Sequence, residues 1–337
     1  MKVDLQATRE ALEVITGGWR AQALYTAVKL GLPDHIEAGR VTTVELAAST
    51  GSKEEGIHRL MRLLVAMKVF EGDGETGFRN TALSRTLLDE PDSMREMCLL
   101  YGEEFYTAWG HPKKAITTVG SGFEEAYGQP LYSYLGEHED AADRFQRAMK
   151  AGNVFFDYVP DVFDFSGKKV VDVGGGNGQL LAAILSATPD ATGILFDREH
   201  VVPLARENLT ATVGLDRVEL AGGSMFESVP PGGDVYMFCR VLAGWADDDV
   251  VGVFERCRRE LPADGRVLVF DRLVRATADA EATVLPSMWD LHLLMTAGGK
   301  HRTLESFTSM LNRAGFDVER TADLPLENTA IIAKPRH

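Results

Sequence analysis

The segment Val171-Asp172-Val173-Gly174-Gly175-Gly176-Asn177-Gly178 constrains this chain more than any other. The apolar run Lys169–Val173 enters it, and Gln179–Ser186, with apolar residues at helical spacing, leaves it. A strand that turns through glycines into a helix uses positive φ and lets the backbone approach a ligand. The helix start then offers free amides and the positive end of its dipole. From Gly174 the sixth position is Gln179, so the GxGxxG dinucleotide fingerprint fails, and there is no Walker lysine. Asp197 closes the next apolar run, Ile194–Phe196, about 20 residues on, where an acid accepts both hydroxyls of a ribose. The other reading of Asp197 is a helix cap.

Further apolar runs follow at Val218–Leu220, Val235–Phe238 and Arg266–Phe270, alternating with helical stretches Val201–Leu209 and Asp248–Leu261. Strands alternating with helices imply a parallel sheet covered on both faces. A helix from Thr303 to Arg313, ended by Gly315, and strands Asp317–Arg320 and Thr329–Ala333 complete the expectation. It is an α/β, Rossmann-like domain with a seven-stranded, mostly parallel sheet over residues 166–337.

Residues 1–104 read differently, as short helices. Ala7–Ile15 and Ala21–Leu30 carry apolar residues at helical spacing, with Gly31 and Pro33 as a stop. Thr42-Thr43-Val44-Glu45 and Ser52-Lys53-Glu54-Glu55 both have the capping-box pattern, with Gly51 as the turn between two helices. Val69–Arg79 reads as two short strands around Gly72-Asp73-Gly74. Helix, turn, helix, hairpin is a winged-helix pattern, used either to read DNA or to pack against protein. Between Arg40 and Leu64 stand four basic residues (Arg40, Lys53, Arg59, Arg62) and three acidic ones (Glu45, Glu54, Glu55), a net of +1, thin for a DNA reader. Residues 105–165 are expected to be a helical connector. Its aromatics, among them Tyr106, Trp109, Phe123, Tyr127, Tyr132, Tyr134 and Phe145, either form core or line a substrate cleft.

Composition agrees with two domains in 337 residues. Fifty acidic against 35 basic residues give a formal charge of −15, which weighs against a nucleic-acid partner. Cys98, Cys239 and Cys257 are sparse and lack CxxC spacing, so neither a disulfide framework nor a structural zinc is expected, and a cytoplasmic location is. The start MKVDLQATRE has no apolar leader run, and no stretch is long and apolar enough to span a bilayer. No clustered His and carboxylate ligands of workable spacing point to a metal.

Strand, glycine loop, helix, strand, acid is the pattern of S-adenosylmethionine (SAM) methyltransferases. With it come, in order, Gly223-Ser224-Met225-Phe226-Glu227-Ser228-Val229-Pro230, Asp234-Val235-Tyr236, Arg240-Val241-Leu242-Ala243-Gly244-Trp245, Leu261-Pro262-Ala263-Asp264-Gly265-Arg266 and Gly298-Gly299-Lys300-His301-Arg302-Thr303. Together with the winged-helix start, nearly the whole chain resembles the small-molecule O-methyltransferase family that includes caffeate and bacterial polyketide methyltransferases. The resemblance implies that Gly174 and Gly176 cradle the methionine part of SAM and that Asp197 holds its ribose. Ser224 stands where the family has an adenine-binding Asp, Met225 would pack on the adenine face, and Cys239 and Arg240 would flank the cofactor. Family members pair through their N-terminal helices, so a homodimer is implied.

One departure bears directly on chemistry. The family's general base is a His before a Gly/Asp-Trp pair, and here that position is Ala243, which accepts no proton. Of the two acids that flank that His in the family, one is kept as Asp271 and the other is His301. His301 paired with Asp271 is a candidate displaced base, since an imidazole beside a carboxylate is poised near neutral pH. His292 is the third catalytic candidate. Met288, His292 and Met295 share one face of a helix over Ser287–Thr296 that also carries Trp289, either as a core stripe or as a pocket wall. Trp109, Met149, Met288, Trp289 and His292 are the candidate substrate contacts.

The expected function is methyl transfer from SAM to a small aromatic or polyketide-like secondary metabolite of the antibiotic type. Oxygen leads as the acceptor, and carbon or nitrogen remain open. Alignment does most of the work in such a reaction, because the sulfonium is already activated. Two alternatives stand beside it. One is a SAM-binding tailoring enzyme that hydroxylates, decarboxylates or runs a pericyclic step without moving the methyl. The other is a winged-helix regulator that senses a small ligand.

Overall fold

A computed structural model describes residues 3–275 and 284–336. The chain divides into two compact units, Met1–Pro112 with Phe123–Asn153, and Lys113–Gly122 with Val154–His337. The stretch 105–165 is thus shared between them.

In the first unit the helices Leu5–Ile15, Gly17–Lys29, Leu32–Glu37, Thr43–Thr50 and Glu54–Ala66 precede a hairpin of β1 (Phe70–Asp73) and β2 (Gly77–Asn80). Thr42 and Glu45 form a reciprocal capping box. The Thr42 hydroxyl accepts from the Glu45 N–H at 3.3 Å, and the Glu45 carboxylate accepts from the Thr42 N–H at 2.9 Å. The second expected box does not form. The helix Glu54–Ala66 has Lys53 at its N-cap without a side-chain bond, and the Ser52 hydroxyl instead accepts from the Thr50 hydroxyl at 2.9 Å. Local competition from a neighbouring hydroxyl takes the cap away. Ile57, Met61 and Leu64 nevertheless meet Leu46, Phe70 and Phe78 in one core. The aromatic stretch is split in use. Phe105 and Phe123 are buried and in edge contact at 6.4 Å, whereas Tyr106 and Tyr132 are exposed.

The second unit is built on a seven-stranded sheet. Its strands are β3 (Lys169–Val173), β4 (Thr192–Asp197), β5 (Val218–Gly222), β6 (Val235–Cys239), β7 (Arg266–Arg272), β8 (Phe316–Leu324) and β9 (Asn328–Pro335), in the order β5-β4-β3-β6-β7-β9-β8. The first five are parallel; β9 and β8 are antiparallel additions, longer than their apolar runs. Val171 and Val173 enter one core with Phe238 and Phe254, and Val170 enters another with Leu181 and Ile184. Alternate residues of β3 therefore serve opposite faces, each covered by helices. From β3 the chain winds outward to β5 and then returns to β6. A crevice at the carboxyl ends of strands forms at such a reversal. Gly174, Asp197, Cys239 and Asp271 all stand at that edge.

Candidate cofactor and substrate site

The glycine loop is shaped by contacts on its inner side. Gly174 has φ +72°, donates its N–H to Phe196 O at 2.8 Å, and would place a Cβ only 2.6 Å from Val241. Gly176 also has positive φ, but a Cβ there would meet nothing within 4 Å, so this turn faces open space. The Asp197 carboxylate accepts from the Gly176 N–H at 2.8 Å and from the Arg198 N–H at 2.6 Å. It caps no helix, since the next one has Val201 at its N-cap without a side-chain bond. The cap reading of Asp197 is thereby corrected.

A cleft of about 110 Å³ opens here. Gly174, Asp197, Ser224 and Met225 line it together with Phe196, Arg198, Gly223, Phe226, Val241 and Trp245. Phe226 and Trp245 meet edge to face at 4.6 Å and form an aromatic wall. Gly176, Cys239 and Arg240 lie outside the lining. Cys239 has its thiol pushed up to about 12 by burial and stays protonated. Arg240 sits at φ +53° with its guanidinium 5.2 Å from the Phe155 ring. An open glycine turn, a carboxylate at the end of β4, a hydroxyl and an apolar wall together fit the polar and flat parts of SAM. Phe226, Arg198 and Phe196 were not singled out from sequence, although each adjoins a residue that was.

Asp172 lies beneath the loop, 1% exposed, and its Oδ2 has no hydrogen-bond partner. Burial, reinforced by the Asp197 charge, raises its pKa to about 7. In the unfolded chain the same carboxyl gives up its proton near pH 4. The folded ligand-free protein therefore loses stability as pH climbs from about 4 to 7. Asp172→Asn is expected to gain in Tm over wild type as pH rises from 4 to 8, by roughly 5 °C. A Tm difference that stays constant over that range, measured by calorimetry without ligand, sinks the assignment.

A second group gathers around the loop after β6. Arg302, 3% exposed, donates to Leu242 O at 2.7 Å, to Trp245 O at 2.5 Å and to the Asp247 carboxylate at 2.9 and 3.0 Å. The Lys300 N–H donates to Ala243 O at 3.2 Å. These bonds lay residues 298–302 along residues 242–247, so His301 and Ala243 belong to adjacent segments. His301 Nδ1 stands 3.3 Å from Asp271 Oδ1, both side chains nearly buried, in a geometry that does not align a hydrogen bond. The His301 N–H donates to Asp290 at 2.7 Å.

The helix over this region runs from Val284 to Ala297. Its Met288 is exposed, His292 half-buried and Met295 fully buried, so the stripe runs from surface to core. Trp289 lies 4.3 Å under the Arg272 guanidinium and edge-on to His292 at 5.8 Å. Burial chiefly, then the Arg272 and His301 charges, pushes His292 down to about 4, so it is neutral at physiological pH. Trp109 and Met149 belong to the first unit and are partly exposed. Among the described residues no group of three or more His, Cys, Asp or Glu is arranged to hold a metal ion, and no helix is long and apolar enough to cross a membrane.

Known proteins agree with this architecture. Residues 109–317 match an O-methyltransferase domain, and residues 12–90 match an O-methyltransferase dimerisation domain. The phenazine-1-carboxylate N-methyltransferase of Pseudomonas aeruginosa is 44% identical over 98% of both chains. The 3-amino-4-hydroxybenzoate 4-O-methyltransferase of Streptomyces cremeus is 37% identical over 98% of this chain and 91% of its own. The solved structure of the pyocyanin biosynthetic protein PhzM superposes with a TM-score of 0.92 and 43% identity, covering 98% of this chain and 100% of that one. The chain belongs to the O-methyltransferase family, whose members carry a helical dimerisation domain and use SAM as methyl donor.

Proposed function

We propose that the chain methylates a nitrogen of a small planar aromatic metabolite. The observation that carries this reading is Ala243. The loop Leu242–Trp245 is clamped by Arg302, and it carries a methyl at the position where the resemblance to the family places a base. An aromatic ring nitrogen has a lone pair and no proton to lose on methylation, so it needs alignment and no base. The N-methyltransferase relative supports this choice.

Bound SAM supplies an electrophilic methyl on a sulfonium. In this reading Gly174 and Gly176 hold its methionine end, Asp197 the ribose, Ser224 the adenine amine and Met225 the adenine face, with Cys239 and Arg240 alongside. A neutral His292 gives the substrate a hydrogen-bonding wall beside Met288 and Trp289. Trp109 and Met149 are assigned as further substrate contacts on the sequence argument. The N-terminal helix Leu5–Ile15 buries none of its residues and exposes Leu5, Leu12, Val14 and Ile15, with Trp19 beyond it. A second copy of the chain is the proposed cover, forming a homodimer.

A second reading keeps oxygen as the acceptor, with His301 as the base; the Asp271 carboxylate 3.3 Å away supports it through its charge, without an aligned hydrogen bond. His301→Ala separates the two. Nitrogen transfer predicts a fall in kcat of under about tenfold with an unchanged pH profile; a base predicts a loss of about 10²–10⁴-fold and a vanished acidic limb. Release of S-adenosylhomocysteine with each product tests methyl transfer itself. Product without it would eliminate both readings in favour of a tailoring reaction that retains the methyl.

A further inference from the structure

β3 carries one acid in an apolar run, Val170-Val171-Asp172-Val173. Asp172 pairs in register with Leu195 of β4 and Met237 of β6, so both of its strand neighbours are apolar. The glycine loop closes over it. A Cβ on Gly175 would lie 2.7 Å from Asp172 Cγ and Oδ2, so bare backbone packs directly on the carboxyl, whose Oδ2 has no hydrogen-bond partner. One residue further, Gly176 faces open space and donates its N–H to Asp197 at 2.8 Å. The buried acid thus lies one glycine from the open turn. The titratable groups around it do not neutralise it. Asp197 on β4 adds a like charge. Cys239 on β6 keeps its proton, and Arg240 after β6 and Asp271 on β7 act on that thiol, Arg240 also through a hydrogen bond. Burial first, and Asp197 second, favour the protonated carboxyl.

A buried carboxyl with an unpartnered oxygen is costly when charged, and a cation brought near it stabilises that form. SAM is such a cation, with a sulfonium and an ammonium against one carboxylate. We infer that the cofactor and a proton compete for Asp172: the ligand-free protein holds this carboxyl neutral, and SAM binds over the glycine loop as Asp172 releases its proton to solvent. The O–H bond of the carboxyl breaks, the carboxylate keeps the electron pair, and the buffer takes the proton. The inference rests on the proposed placement of SAM on this loop. Asp172 then reads the charge of what binds, because a neutral nucleoside gains nothing from its ionisation. Affinity for SAM should rise with pH up to about 7, the pKa of the ligand-free carboxyl, and level off above it.

Calorimetric titration of the full chain with SAM at about pH 6.5, in buffers of different ionisation enthalpy, counts the protons released. About 0.5–1 proton per SAM is expected, with a gain in affinity of about fivefold from pH 6 to 7. 5′-Deoxy-5′-methylthioadenosine keeps the nucleoside and the sulfur but carries no charge, and should release under about 0.2 proton. Asp172→Asn, uncharged at every pH, should bind SAM without proton release and with an affinity constant to within about twofold over the same range. The wild-type comparison of the two ligands decides even where that variant fails to fold. SAM binding without proton release in the wild type overturns the inference and leaves the cofactor placement standing. Equal release with the neutral nucleoside, or release that survives Asp172→Asn, assigns the proton to another group and overturns it as well. If Asp197→Asn leaves SAM affinity unchanged, the cofactor placement falls and the inference with it.

Discussion

Arg302→Met is expected to destabilise the protein by about 3–4 kcal/mol and to weaken SAM binding at the same time. Arg302 is 3% exposed and spends its donors on two backbone carbonyls, Leu242 O and Trp245 O, and on the Asp247 carboxylate. Methionine fills much of the volume but donates nothing, so two carbonyls lose their partner in a water-poor place. The ionic share is smaller, because Asp247 is 41% exposed and Lys300 still reaches it at 3.4 Å. Trp245 and Val241 form a wall of the cleft proposed to hold the cofactor, so loosening residues 242–247 should open that wall. Arg302→Lys retains one charged donor and should recover part of both losses. Urea denaturation gives the first quantity and calorimetric titration with SAM the second. A stability within 1 kcal/mol of wild type, with unchanged SAM affinity, would refute the clamp.

The sheet was legible because burial on both faces writes itself as apolar runs, and glycines mark where the chain must take positive φ. Val171, Gly174 and Asp197 stand where those signals place them. The limits β8 and β9 reach were hidden. Their outer residues are held by the antiparallel register from Phe316–Pro335 to Leu324–Asn328, not by a pattern of their own. Ser52 misled, since a capping pattern states only that a bond is available, and the Thr50 hydroxyl takes it. The approach of His301 to Asp271 followed from motif order, but its geometry depends on Asp290, Lys300 and Arg302, which hold the segment from three directions. The Arg272 stack on Trp289 joins residues 17 apart in number, on a strand and a helix. No spacing rule links two such positions; only the fold brings them together.

If nitrogen is the acceptor and no base serves the site, Ala243→His is expected to add one, raising turnover of a phenolic acceptor by about 10²–10⁴-fold. The position is half-buried, and its carbonyl is fixed by the Lys300 N–H at 3.2 Å. Backbone placement is thus independent of the side chain, so the substitution changes chemistry with little change of framework. A phenol carries a proton at neutral pH that must leave as the methyl arrives, and an imidazole near pH 7 is matched to take it. A ring nitrogen has no such proton. Its methylation should change by under about tenfold, through crowding alone. The ratio of the two rates in one protein is the informative quantity, because damage to folding or to SAM binding lowers both together. Methylated products of a phenol and of a ring-nitrogen heterocycle, measured in the same reaction by mass spectrometry, give that ratio. If the phenol rate stays unchanged, residue 243 is not the position from which this site draws protons; if the nitrogen rate rises in step with it, the substrate atom proposed here is the wrong one.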